Sequence, residues 1–294
     1  MQIGEKIKQL RLSKLMTQAD LAGTQITRNM LSSIEHGTAL PSLPTAIYIA
    51  ERLNVPVGYL LSDEDQAFSY RKMMGMANIR RAFNAGDHTG CLSLLSALGE
   101  AQDDELYLIR AECEYGIAKQ AFEEGRLRLA AAALDRALAA TEQTVYDTVW
   151  LRDRIAVCFR YMVDISPTLA SNALDSDEIE RARALGDLLV EYAMVLEAFD
   201  AGRTDVAREF IGRYPDSLYA IRLSALLLME TGDYKKAQGI LEQLLNRADL
   251  TFGVLLYEVF GDLELCYRKN DDYKKAYEFS GSRLGLLEKL LEEV

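Results

Sequence analysis

Four glycines in this chain stand three residues after a Phe or Met and five residues before a small side chain. Gly86 precedes Cys91, Gly125 precedes Ala130, Gly202 precedes Ala207 and Gly232 precedes Ala237. Asp271 and Ala276 keep the spacing without the glycine, and Asp233-Tyr234-Lys235-Lys236-Ala237 is nearly duplicated by Asp272-Tyr273-Lys274-Lys275-Ala276, 39 residues on. Three residues before the turns stand Phe83, Phe122, Phe199 and Met229. A turn glycine that ends one helix, with a small residue where the next packs closely upon it, is the mark of stacked helix pairs. The turns lie 39, 77, 30 and 39 residues apart, and the long gap leaves room for a degenerate unit near Asp164–Ala170. Sequence between the turns is rich in Ala, Leu, Glu and Arg, with almost no β-branched run, so it reads as helix throughout.

The first sixty residues have a different pattern. Ile3, Ile7, Leu10 and Leu15 recur at roughly helical spacing. Thr17 then caps a short second helix, with Asp20 three residues later as an acidic capping box. A tight turn, Gly23-Thr24-Gln25-Ile26, leads to Thr27, which caps a third helix running to His36-Gly37. Pro41-Ser42 introduces a fourth helix and Pro56 a fifth. The strings TQADLA, ITRNMLSSIEHG, PSLPT and LNVP together resemble the five-helix DNA-binding domain of Cro/cI-like (XRE) phage-type repressors, over essentially all of residues 3–61.

That resemblance implies roles for particular residues. Gln18 is expected to bond a backbone phosphate, aided by the start of the second helix. Thr27 caps the third helix, and Arg28, Asn29 and Ser33 are expected to face the major groove. Arginine can pair with guanine and asparagine with adenine, so Arg28 and Asn29 are the expected base readers, with Ser32 a further phosphate or base contact. Arg11 and Glu35 match positions of a buried ion pair that supports packing. Met30, Leu31 and Ile34 are expected in the core. One such module neutralises few phosphates, so the resemblance also implies a homodimer on two half-sites of a double-stranded operator, about 34 Å apart.

Charge divides the chain the same way. Residues 1–62 carry a net +2, whereas the other 232 carry −14, within a total of −12. A mildly basic module can approach DNA while an acidic bulk stays clear of the phosphates. The boundary is placed at a short acidic hinge, 63–69, between a DNA-binding domain at 1–62 and a repeat domain at 70–294 of about six helix pairs.

Several classes are disfavoured. The chain has only two histidines, and it shows no H-E-x-x-H, no Cys/His zinc set and no phosphate-binding glycine loop. Neither an enzyme nor a metal or cofactor protein is expected. Four widely spaced cysteines read as buried thiols, and no stretch approaches 18 apolar residues. No signal core or membrane span is read, so a cytoplasmic protein is expected.

The repeats resemble tetratricopeptide units, which implies an all-α, right-handed solenoid with a concave groove. A phage-type helix-turn-helix followed by such repeats resembles the Rgg/PlcR-like regulators of Firmicutes, quorum-sensing proteins that bind short signalling peptides in the groove. In tetratricopeptide arrays, positions 6, 10 and 13 before the turn glycine point inward. Here these include Arg80, Glu112, Tyr115, Lys119, Tyr192, Tyr219 and Arg222, with Arg152 from the degenerate unit. They are expected to be solvated groove side chains that hold a peptide's carbonyls and carboxylate. The last segment, with Leu284, Leu287, Leu291 and Val294, is expected to be a capping helix or part of a dimer contact. The expected function is a DNA-binding transcriptional regulator switched by a short peptide. Two other readings of the same groove are a protein antirepressor as its occupant, and a protein-interaction adaptor.

Overall fold

The computed structural model describes residues 2–99, 103–170 and 187–292, the side chains of 64–66 excepted. Sixteen α-helices and one 3-10 turn, with no strand, make up the regular structure of the described residues. The chain divides into two compact units, Met1–Ala101 and Gln102–Val294.

The first unit opens with α1 (Ile3–Ser13), α2 (Gln18–Ala22), α3 (Arg28–Glu35), α4 (Leu43–Arg52) and α5 (Val57–Leu61). The expected caps form. Thr17 Oγ1 accepts from the Asp20 amide at 3.1 Å while the Thr17 amide donates to Asp20 Oδ2 at 2.8 Å. Thr27 Oγ1 accepts from the Met30 amide at 3.1 Å. Ile7, Leu21, Leu31, Ile34, Ile49 and Leu53 are buried together, and each contributes about 1.5–3 kcal/mol of apolar burial. Helix α1 crosses α3 very closely: a Cβ on Gly4 would stand 2.0 Å from the Ile34 carbonyl oxygen. Lys6 is buried rather than free for phosphate, its Nζ donating to the carbonyls of Tyr59 at 3.2 Å and Ser62 at 2.6 Å. A cation at those C-terminal carbonyls of α5 satisfies groups that the helix leaves open.

The acidic hinge expected at 63–69 is helix in the structure. Helix α6 runs unbroken from Glu64 to Asn84. Ala67 belongs to the core of the first five helices, and Tyr70 meets Tyr59 edge-on at 6.4 Å. Acidic residues at a helix start favour its dipole, so Asp63-Glu64-Asp65 begins a helix instead of loosening a linker. Helix α6 pairs with α7 (His88–Ala97), so the division falls after α7 and not at 62.

The second unit contains α8 (Asp104–Glu123), α9 (Leu127–Thr141), α10 (Val149–Ile165), a 3-10 turn (Pro167–Leu169), α11 (Leu188–Asp200), α12 (Thr204–Arg213), α13 (Leu218–Glu230), α14 (Tyr234–Leu245), α15 (Val254–Lys269) and α16 (Tyr273–Leu290). Five turns among the described residues share one geometry. Gly86, Gly125, Gly202 and Gly232 have φ of 72°, 73°, 80° and 83°, and Asp271 has 64°. The following residue donates its amide to the carbonyl five positions back, as in Asp87 to Ala82 (3.0 Å), Arg126 to Ala121 (2.8 Å) and Asp272 to Tyr267 (2.9 Å). This is the Schellman closure, which needs a left-handed residue and therefore favours glycine. Cys91, Ala130, Ala207 and Ala237, five residues past each glycine, have no exposed surface. The sequence repeat is thus the repeat of a turn and a close helix contact.

The C-terminal helix caps the second unit, but with a different stripe from the one expected. Leu286 and Leu290 are buried, whereas Leu284 is 62% exposed; Val294 lies outside the described residues. Leu290 packs where Gly125 lacks a side chain, and Arg128 Nε donates to the Leu291 carbonyl at 2.7 Å. The last turn of α16 therefore seals the α8–α9 turn.

Candidate functional site

Helix α3 turns two faces outward and inward with little overlap. Leu31, Ile34 and Glu35 are buried, while Arg28, Asn29 and His36 are exposed and Ser32 and Ser33 half-buried. Positions 28, 29, 32, 33 and 36 form one stripe at helical spacing. His36 extends the stripe and was not among the expected residues; its Nδ1 lies 2.7 Å from the Ser32 carbonyl. Met30, expected in the core, is 40% exposed instead, because its neighbours Leu31 and Ile34 already fill the inward face. Thr27 spends its hydroxyl oxygen on the helix start and is exposed.

A buried ion pair holds this helix from behind. Arg11 Nε and Nη2 donate to Glu35 Oε1 and Oε2 at 2.6 and 3.0 Å, and Nη1 donates to the Met16 carbonyl at 2.9 Å. Burial alone would raise the Glu35 pKa, but the bonds from Arg11 and Gln18 outweigh it and hold the carboxyl below its ordinary range. Gln18 Nε2 donates to Glu35 Oε2 at 2.8 Å. The side chain expected to reach a phosphate is thus engaged, in this state, in aligning the start of α2 with the end of α3.

In the second unit the expected groove residues separate into clusters, and most are not solvated. Tyr115 Oη and Lys119 Nζ donate to Asp187 Oδ2 at 3.0 and 2.8 Å, and Asp187 also caps α11. Burial would raise the Asp187 pKa, yet the Lys119 bond keeps it low. Glu112 is half-buried, and burial raises its pKa. Cys158, enclosed nearby, is pushed up to about 12 by burial, which makes it a poor nucleophile. Arg152 lies 4.0 Å from Glu142 at the edge of the unit. Arg80, on α6, is exposed and belongs to the first unit.

Tyr192 and Arg222 correct the expectation most clearly. Tyr192 has no exposed surface and Arg222 only 7%. Arg222 Nε lies 2.6 Å from Asp262 Oδ2, its Nη1 lies 2.8 Å from Glu258 Oε2, and Nη1 also reaches Tyr192 Oη at 2.5 Å. Tyr219 lies against Tyr192, ring centroids 4.2 Å apart. The inward rule selects the correct face, but neighbouring first helices supply carboxylates that consume the cation. Charge reversal at Arg222 therefore disrupts the packing of the unit.

Those first helices enclose a cavity of about 370 Å³, lined from α10, α11, α13, α15 and α16. Leu196, Leu226, Gly261 and Glu258 in its wall stand 6, 6, 10 and 13 residues before their turns at 202, 232 and 271. Sequence reasoning missed Glu258 and Asp262, which belong to the pair whose turn lacks glycine. A second cavity of about 400 Å³ lies at the other ends of α11, α13 and α15, and includes Tyr219, Phe122 and Phe252. Among the described residues no three His, Cys, Asp or Glu side chains are grouped to hold a metal ion, and no helix is long and apolar enough to cross a membrane.

Residues 7–60 match the helix-turn-helix family. The first unit therefore carries a helix-turn-helix domain. No curated protein matches the chain in sequence. Among solved structures, PlcR from Bacillus thuringiensis in complex with the peptide PapR7 and DNA is similar at 17% identity and TM-score 0.22, over 99% of each chain. The apo form of the competence regulator ComR from Streptococcus vestibularis shares 18% identity at TM-score 0.26, over 90% of this chain and 97% of that one. ComR from S. thermophilus, in complex with DNA and its signalling peptide ComS, shares 16% at TM-score 0.21, over 97% and 99%. At such scores no residue role is transferred from them.

Proposed function

We propose that this chain is a DNA-binding transcriptional regulator whose second unit binds a short peptide. The observation that carries the reading is the outward stripe of α3, Arg28, Asn29, Ser32 and Ser33, on a domain that matches the helix-turn-helix family. Arg28 and Asn29 stand in the first turn of α3, where such a helix meets base edges. The known complexes of PlcR and ComR with DNA and peptide support the same reading. Two heads of a homodimer would take two half-sites, since one head offers few phosphate contacts. Peptide bound among the first helices of the second unit would favour one arrangement of those helices and so shift DNA affinity.

Selection from a random duplex pool tests the DNA-binding part. Wild-type protein is expected to enrich a site with two related halves, with light scattering showing a dimer. The Arg28→Ala/Asn29→Ala variant is expected to lose that preference while remaining folded. Unchanged enrichment by the double variant would refute the orientation given to α3. Gln18→Ala is expected to weaken all duplexes alike through its effect on how α2 and α3 are held.

A further inference from the structure

One face of α16 is left open to solvent. Ala276, Leu286 and Leu290 point inward and are buried, Phe279 stacks on Tyr267 with ring centroids 5.5 Å apart, and Arg283 lies over the Tyr257 ring at 4.6 Å. The opposite face carries Lys274, Tyr277, Gly281, Leu284, Gly285 and Glu288 at helical spacing. Tyr277 is 81% and Leu284 62% exposed, and Tyr273 at the edge of the same face is 64% exposed. Single apolar side chains scattered over a surface are ordinary, but three large ones along one stripe of one helix mark a contact.

Charge on this face is arranged symmetrically about Gly281. Lys274 stands seven residues before it and Glu288 seven after, both exposed and about 10 Å to either side along the helix axis. A second copy laid parallel would set lysine on lysine and glutamate on glutamate. An antiparallel copy, related by a two-fold axis at Gly281, sets Lys274 of each chain against Glu288 of the other, twice over. Tyr277 of each then falls beside Leu284 of the other, with glycine opposite glycine at the centre. The two glycines fit the same arrangement. Gly281 and Gly285 lie inside the helix, where glycine is weakening, and a Cβ at either would meet nothing within 4 Å. No contact among the described residues calls for them, whereas a crossing of two backbones does.

We propose that the outward face of α16 is a self-complementary docking surface for a second copy of this chain, crossed antiparallel at Gly281. The inference gives the homodimer of the proposed function its surface, and rests on that reading for the need of a pair. One helix face per copy makes a small interface, so the dimer is expected to dissociate on dilution within a measurable range.

Sedimentation equilibrium of the full chain, alone and on the selected duplex, tests the surface. Lys274→Glu and Glu288→Lys each break both symmetric ion pairs and set like charges in their place. Either is expected to raise the dimer dissociation constant about tenfold. Combined in one chain, the two changes restore opposite charges across the axis, and the wild-type constant is expected to return. That recovery has no explanation within a single copy, because the two side chains are fourteen residues apart on one helix. Tyr277→Ser is expected to weaken the dimer with an unaltered helical spectrum. Val145→Ser, at an equally exposed position between α9 and α10, is expected to change nothing. A dimer indifferent to the α16 variants would overturn this surface and leave the homodimer reading standing. Loss in the single charge variants without recovery in the double would overturn the antiparallel crossing. A chain that is monomeric both alone and on the duplex would overturn the surface and the homodimer together.

Discussion

Two buried arginines, one in each unit, solve opposite problems. Arg11 faces one carboxylate, Glu35, and its remaining donor takes a backbone carbonyl, so charge and hydrogen bonds close on themselves. Arg222 faces two carboxylates, Glu258 and Asp262, one turn apart on α15, with three more acids in the same cavity wall. Burial and the neighbouring Asp262 raise Glu258, against the pull of Arg222. A closed pair fixes a helix in place. An unbalanced cluster also ties helices together, but burial opposes the ionisation of its carboxylates.

The largest expected effects come from cutting these clusters. Arg222→Ala leaves two buried carboxylates without their cation and is expected to cost the second unit about 3–5 kcal/mol. Arg11→Ala abandons one, and the cost should lie near the lower end of that range. Urea unfolding of the two variants checks the order; equal and small losses would show that solvent reaches both clusters. Arg28→Ala stands at the other extreme. It is expected to cost about 1–3 kcal/mol on the selected DNA site and nothing measurable in stability, since the side chain is exposed.

The two clusters also predict opposite responses to acid. Glu35 has a depressed pKa in the folded chain, so its contribution is complete above its unfolded value near 4.5 and is lost as pH falls through the folded value. Glu258, Asp164 and Glu197 are raised, so their ionisation opposes folding at neutral pH. As pH falls through those raised values toward the unfolded ones, these three groups are expected to add stability, opposite in sign to the loss from Asp187, whose pKa is depressed. Melting curves of Glu35→Gln and Asp164→Asn against pH sharpen the contrast: the first should flatten the acid loss, the second should shrink the mild gain. The smallest effect is expected at Asp271, whose φ of 64° strains an aspartate. Asp271→Gly should stabilise by about 1 kcal/mol or less, because relieved strain is offset by a freer unfolded chain.

What could be read from sequence was what local geometry enforces. The Schellman turns leave glycine and a small residue at fixed spacing, and the caps leave Thr17 with Asp20 and Thr27 before Arg28. The Arg11–Glu35 pair follows from a resemblance covering nearly the whole head. Pairing between distant helices left no such mark. Arg222 and Asp262 are 40 residues apart, and the period states which face they share but not that they meet. Tyr115 and Tyr192 read as solvent-facing because their chemistry suits a ligand, although the same hydroxyls serve buried carboxylates equally well. The segment 63–69 misled for a related reason: acidic residues describe a linker and a helix start alike, and only the burial of Ala67 decides between them.

The central claim is that one chain joins a DNA-reading helix to a peptide-binding second unit and that the two are coupled. Linkage gives the most direct measurement. The affinity of the selected duplex is determined with and without saturating amounts of a short peptide selected for binding to the full chain, and the affinity of that peptide with and without the duplex. The account predicts a change in DNA affinity and a change of the same factor in peptide affinity, with tenfold corresponding to about 1.4 kcal/mol of coupling. A peptide that binds the chain and leaves DNA affinity unmoved would contradict it.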